Sequence, residues 1–206
     1  MTAFITHCYR SWISALLAAV LAMALASPLL AQAADIHVTR AQLAPSDEGY
    51  VLDAEFAINL GPRLEEVVTH GIALYFVTEF ELSRPRWWWA DERVTGRTQT
   101  HRLFYHALTR QYRVSTGALY QNFSTLDEAL GVISNLRNWS VADKALMQAG
   151  EPYSAQLRMK LDLTQLPKPF QVTSIGNKDW AISAEIKRWS FIGPPLGNIV
   201  TEAAPK

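Results

Sequence analysis

The sequence predicts a mainly β chain, an antiparallel β-sandwich with one helical insert. Three observations predict it. Residues 50–60, 72–82 and 153–163 each alternate apolar and polar side chains, the period of a strand with one buried face. Helical spacing of apolar residues is confined to one window, 124–149. Once an N-terminal segment is set aside, about 173 residues remain, enough to bury a self-supporting core in a single domain. Half-buried alternating strands favour antiparallel pairing. The alternative is α+β, an antiparallel sheet with the helices on one face.

In chain order, residues 1–33 read as a targeting segment. Arg10 and the amino terminus supply positive charge, residues 12–26 are apolar, and Ala31-Gln32-Ala33 fits a small-x-small cleavage site. Cleavage there gives a mature start at Ala34 and a periplasmic or secreted product. The alternative is an uncleaved anchor in the inner membrane, since residues 11–31 are just long enough to span, for which roughly 20 residues are needed. The single cysteine, Cys8, lies in this segment, so a mature chain would hold no disulfide and no thiolate. Residues 34–192 form the expected domain, and 193–206 read as a flexible tail.

Within the domain, 36–43 is a weak strand candidate. In 50–60, Tyr50, Leu52, Ala54, Phe56, Ile58 and Leu60 share a face. Gly61-Pro62 ends that strand and opens a short helix to about His70. In 72–82, Leu74, Phe76 and Phe80 point inward and Glu79 and Glu81 outward; 153–163 repeats the pattern from Tyr153. Residues 98–123 read as a hairpin turning at Arg110-Gln111. That register sets Ala107 against Val114, Tyr105 against Thr116, Leu103 against Ala118 and His101 against Tyr120. The other face carries Arg102, His106, Leu108, Arg113 and Ser115.

Ser124-Thr125-Leu126-Asp127-Glu128 offers a helix cap, and Leu126, Ala129, Leu130, Ile133 and Leu136 follow at helical spacing. Ser140 can cap a second helix over 141–149, ended by Gly150 and Pro152. Leu166-Pro167-Lys168-Pro169-Phe170 reads as a rigid turn, 170–175 as a weak strand, and 180–192 as a strand whose facing parity switches near Lys187-Arg188, as at a bulge.

The sequence contains no nucleophile elbow, metalloprotease helix, phosphate loop or calcium loop. His101 and His106 lie five apart on one strand and point to opposite faces, so they cannot share a metal ion. The pairs Asp53/Glu55 and Glu79/Glu81 each share a strand face, where outward polar residues sit in any half-buried strand. Asn122-Phe123-Ser124 and Asn138-Trp139-Ser140 match the glycosylation sequon, which has meaning only in a eukaryotic secretory host. No catalytic residue, metal ligand or cofactor is assigned; a hydrolase is a third reading without a motif.

Charge is less evenly spread. Residues 84–113 carry seven arginines (Arg84, Arg86, Arg93, Arg97, Arg102, Arg110 and Arg113), no lysine, and only Asp91 and Glu92 as acids, a net +5. The rest of the mature chain holds 11 basic and 17 acidic residues, a net −6. Overall balance therefore does not point to nucleic acid. Guanidinium groups suit bidentate contacts with carboxylate or phosphate. Trp87, Trp88 and Trp89 cannot all face a core, and exposed tryptophan beside arginine is the composition of an interaction surface. With His106, these residues form the candidate surface. The competing reading is an internal lattice in which Glu79, Glu81, Asp53 or Glu55 neutralises Arg102 and Arg113, or a loop that folds its rings onto the arginines.

The string LFYHALTRQYRV at 103–114, with Pro85-Arg86-Trp87-Trp88 upstream and Leu166-Pro167-Lys168-Pro169-Phe170 downstream, resembles an uncharacterised family of small exported proteobacterial proteins. That family is a domain of unknown function, sometimes labelled proline-rich signal peptide protein, and the likeness covers about 35–192. The resemblance implies an envelope location. It also implies a link to a membrane sensor kinase of a two-component system, beside which members are often encoded. It brings no catalytic or cofactor residue. The function expected is that of a non-enzymatic binding or accessory protein with an envelope protein partner; the alternative ligand is anionic, a lipid headgroup or a polysaccharide.

Overall fold

The computed structural model describes residues 34–88, 90–174 and 182–193, with the backbone alone for 172–174. The elements in order are β1 (Asp35–Pro45), β2 (Gly49–Asn59), α1 (Gly61–Thr69), β3 (Leu74–Arg84), β4 (Glu92–His106), β5 (Gln111–Thr116), β6 (Leu119–Phe123), α2 (Leu126–Ser134), β7 (Asn135–Asp143), β8 (Pro152–Leu161), α3 (Lys168–Ser174) and β9 (Lys187–Ile192). Short 3₁₀ turns, Lys144–Leu146 and Leu163–Gln165, flank β8. The chain is mainly β, as the alternation requires. A three-stranded sheet has the order β1-β2-β7 and a six-stranded sheet the order β6-β5-β4-β3-β8-β9, with antiparallel pairing throughout.

The two sheets bury their apolar faces against one core. Leu52, Ala54 and Phe56 of β2 contribute from one side, and Phe76, Phe80, Leu157 and Met159 from β3 and β8 on the other. Phe80 meets Trp139 of β7 edge-on at 6.5 Å, an aromatic contact that bridges the sheets, and Trp189 of β9 in its own sheet at 6.4 Å. Helix α2 packs on β2 and β7 of the smaller sheet and on β5 and β6 of the larger. Its start is a capping box. Thr125 Oγ1 accepts from the Glu128 amide at 3.2 Å, and the Glu128 carboxylate accepts from the amides of Thr125 and Ser124.

Four expectations require correction. The hairpin after β4 turns over four residues, 107–110, not at Arg110-Gln111: His106 pairs with Gln111, Tyr105 with Tyr112, Leu103 with Val114 and His101 with Thr116. Arg110 takes the left-handed conformation, φ 55°, and the His106 ring accepts from the Thr109 amide at 3.4 Å, which closes the turn without glycine. The slide is an even number of residues, so the side chains of β4 and β5 keep the face the alternation gave them, whereas Tyr120, expected against His101 on the core side, pairs with Ser115 and projects outward. Second, 98–123 spans three strands, because Gly117-Ala118 makes a further tight turn, with Gly117 at φ 58°.

Third, the second helix expected over 141–149 is absent. Residues Asn135–Asp143 form β7, paired to β2 through two register shifts and with Asn138 at φ 52°. Those irregularities put both Val141 and Ala142 in the core and erase the period of 2. Fourth, 170–174, expected as strand, is the end of α3. Its two prolines precede or open the helix, where a missing amide costs nothing; Ile175 lies outside the described residues.

The parity switch before β9 is present. Ser183 pairs with Lys160 and Lys187 with Leu157, so four steps on one side face three on the other, although the intervening residues leave the ladder. Gly193 is buried, donates to the Glu151 carbonyl and accepts from Gly150, so it belongs to the fold. Residues 1–33, Trp89, Trp180 and 194–206 lie outside the described residues.

Candidate functional site

Strand β4 is the spine of the charged segment. It is 15 residues long and rises about 3.3 Å per residue, so about 30 Å separate Arg93 from Arg102. Residues contiguous in sequence are therefore divided between its two ends.

At the first end the arginines are neutralised. Arg86 reaches the Glu92 carboxylate at 2.6 Å and Arg84 approaches it at 3.9 Å. Arg93 meets Glu81 at 3.7 Å, and Arg97 meets Asp143 of β7 at 3.9 Å. Arg84 also donates to the Tyr153 hydroxyl at 3.2 Å with its guanidinium over that ring. That hydrogen bond is the chief reason its pKa is raised, and Arg84 stays charged. Between β3 and β4, Trp87 and Trp88 are 90% and 63% exposed and meet edge-on at 5.0 Å.

At the other end, the arginines meet rings instead of acids. The Arg102 guanidinium lies 4.5 Å from the Phe104 ring centre and 5.9 Å from that of Tyr75. Arg113 lies 4.6 Å from Tyr120 and 5.7 Å from Phe104, and its Nε donates to Asn122 Oδ1 at 2.8 Å. The register explains the grouping. Tyr75, Arg102, Ser115 and Tyr120 form one row across β3, β4, β5 and β6; Phe104, Arg113 and Asn122 form the next. All project from the face turned away from the core, as Leu103 and Val114 between them point inward. Among the described residues neither Arg102 nor Arg113 has a carboxylate within ion-pair distance. His106 joins this end, its ring centre 6.4 Å from Phe104, and Arg110 is exposed in the adjoining turn.

The acids that could have closed an internal lattice here are engaged elsewhere. Glu79 binds Arg158 and Lys160 of β8, each at 2.6 Å. Partial burial pushes its pKa up, but the hydrogen bonds from Lys160 and Arg158 outweigh this and the net shift is downward. Glu55 binds Arg137, and Asp53 accepts from the Asn138 amide at 2.7 Å. Glu79, Glu81, Arg93, Thr98, Gln156 and Arg158 line an open cleft of about 350 Å³ on the larger sheet. Both of its carboxylates are held by cations.

His101 and His106 do face opposite ways. His101 is buried, which lowers its pKa; its Nε2 lies 3.3 Å from the Gln99 amide nitrogen and its Nδ1 has no partner. Among the described residues no three His, Cys, Asp or Glu side chains gather as a metal site needs.

The sequence reading missed Tyr75, Phe104, Tyr120 and Asn122 as members of the arginine cluster. Tyr75 belongs to a strand 27 residues before Arg102, and only the register brings the two together. A guanidinium laid against a ring keeps its N–H edge free for bidentate bonds to carboxylate or phosphate while the ring limits its motion. Such an edge has the geometry to pair with a carboxylate or phosphate anion.

No curated protein and no solved structure matches the chain. A family model does match residues 33–190, three-quarters of its length, and its description agrees with the resemblance carried by the 103–114 string. The chain belongs to the family described as Domain of unknown function (DUF4390).

Proposed function

We propose that the protein is an exported, non-enzymatic binding or accessory protein, and that its outward platform of Arg102, Arg113, Phe104 and Tyr120 receives an acidic surface of an envelope protein. One observation carries the reading. In a segment where four other arginines are matched to acids, these two are held on aromatic rings with no carboxylate partner among the described residues. Exposed ion pairs contribute about 0–1 kcal/mol each, so stability gives little reason to leave guanidinium groups displayed in this way. Export is supported by the Ala31-Gln32-Ala33 site and the apolar stretch before it. The family resemblance implies a membrane sensor kinase as neighbour, and the extracytoplasmic part of such a kinase is the first partner to test.

The test is Arg102→Gln with Arg113→Gln against wild type. The double variant should melt within a few degrees of wild type and lose retention of envelope proteins, with wild-type retention weakening as salt is raised. Early unfolding of the variant, together with no retention by wild type, would make the platform a structural feature. Preferential retention of phosphatidylglycerol vesicles or acidic polysaccharide would replace the protein partner with an anionic envelope ligand.

A further inference from the structure

Among the described residues the two sheets have four open edges, and three are guarded in ways natural sheets use against strand addition. Strand β1 carries a register shift after Val38 and ends in Pro45. Strand β7 has two register shifts and a left-handed Asn138. Strand β9 places Lys187 and Arg188 at its start. Strand β6 has none of these. It pairs with β5 at all five positions without a shift and contains neither proline nor charge. Leu119 and Tyr120 are 79% and 61% exposed. Among the described residues, no backbone hydrogen bond reaches it from outside β5.

The orientation of that edge follows from the turn before it. Gly117 with φ 58° opens a two-residue turn that sets Thr116 opposite Leu119. Such a turn bonds the flanking pair, so alternation directs the amides and carbonyls of Tyr120 and Asn122 away from β5, towards solvent. A strand laid there would lie about 4.8 Å from β6 and continue the two outward rows that hold Arg102 and Arg113. Every second side chain of the incomer would fall on the platform face.

We propose that β6 is a strand-addition site, and that its occupant is an extended segment of the partner protein with acidic side chains at alternate positions. The proposal rests on the platform reading and adds to it the mode of recognition. Backbone pairing to Tyr120 and Asn122 supplies affinity, and the arginines select the charge of alternate residues.

The test uses the full chain and a fluorescein-labelled octapeptide alternating glutamate and valine. The peptide should bind saturably and slow amide exchange at Tyr120 and Asn122 at least tenfold. Arg113→Gln should weaken it at least threefold. N-methylation of the peptide amides that face β6 should abolish binding, whereas N-methylation of the other set should not. Tyr120→Pro removes one outward donor and leaves the β5 ladder intact, so it should cost more than Tyr120→Ala. If that variant fails to fold, the methylated peptides still decide. Binding indifferent to methylation but lost in the Arg102→Gln, Arg113→Gln variant overturns strand addition and leaves the platform standing. Equal binding of a matching octapeptide that alternates lysine and valine, no binding of the glutamate peptide, or preference for phosphatidylglycerol vesicles overturns the proposal.

Discussion

Among the described residues, two side chains tie the stability of this protein to acidic pH, and both act in the same direction. His101 is buried with an unpartnered Nδ1, and burial lowers its pKa below the ordinary 6.5. The unfolded chain then binds the proton more tightly, so the stability is fully present above pH 6.5 and is lost as pH falls towards the folded value. Glu79 has its pKa lowered below the ordinary 4.5, where burial opposes the shift and the hydrogen bonds from Lys160 and Arg158 prevail. Its contribution is present above 4.5 and is lost as pH falls through the folded value. Urea titrations should show stability declining first below about 6.5 and again below about 4.5. His101→Gln should flatten the first decline and Glu79→Gln the second. As Glu79 is about a third exposed, its removal should cost only about 1 kcal/mol. An unchanged acid profile in both variants would refute these assignments. Strand parity in the sequence made the opposed directions of His101 and His106 legible. It could not reveal which cations hold Glu79, since Arg158 comes from a strand 79 residues away.

At the scale of elements, legibility tracked regularity. Strands β2, β3 and β8 were readable because each keeps its inward parity through the ladder, and α2 because a capping box precedes a clean apolar stripe. Strand β7 was not, since two register shifts put adjacent residues in the core, and the turn over 107–110 lacks the glycine that marks most hairpins. The same contacts yield a prediction. Gly49 of β2 lies so close to β7 that an added Cβ would collide with the Ala142 carbonyl oxygen and crowd Asp143 Cα. Both obstacles are backbone, so the pair of strands must move. Gly49→Ala should therefore destabilise by about 1–3 kcal/mol, whereas Thr125→Ala at the α2 cap should cost about 1 kcal/mol. Chemical denaturation of the two variants measures the order. A neutral Gly49→Ala would mean that β2 and β7 are not pressed together there.

For the whole molecule, the sequence showed that positive charge collects in one segment, and the fold divides that charge. Four arginines are matched to acids at one end of β4, while Arg102 and Arg113 are left on rings at the other. Strand order decides this division, and composition carries no information about strand order. Cohesion rests on the core, since the one cysteine of the chain is Cys8. Reductant and chelator should leave the melting temperature unchanged; a fall of several degrees with chelator alone would reveal an ion held by oxygen ligands. The export proposal makes the last prediction. The first described strand begins at Asp35, and Ala34 packs against the core. Cleavage after Ala33 would thus release a chain that keeps every described element, whereas cleavage a few residues later would cut into β1 and expose Ile36, which is fully buried. N-terminal sequencing of the protein recovered from an envelope fraction should give Ala-Asp-Ile-His, and the product should remain in the supernatant after membranes are pelleted. A product that retains Trp12 and sediments with the membranes would show that residues 11–31 serve as an anchor, and the platform would then work at a membrane surface.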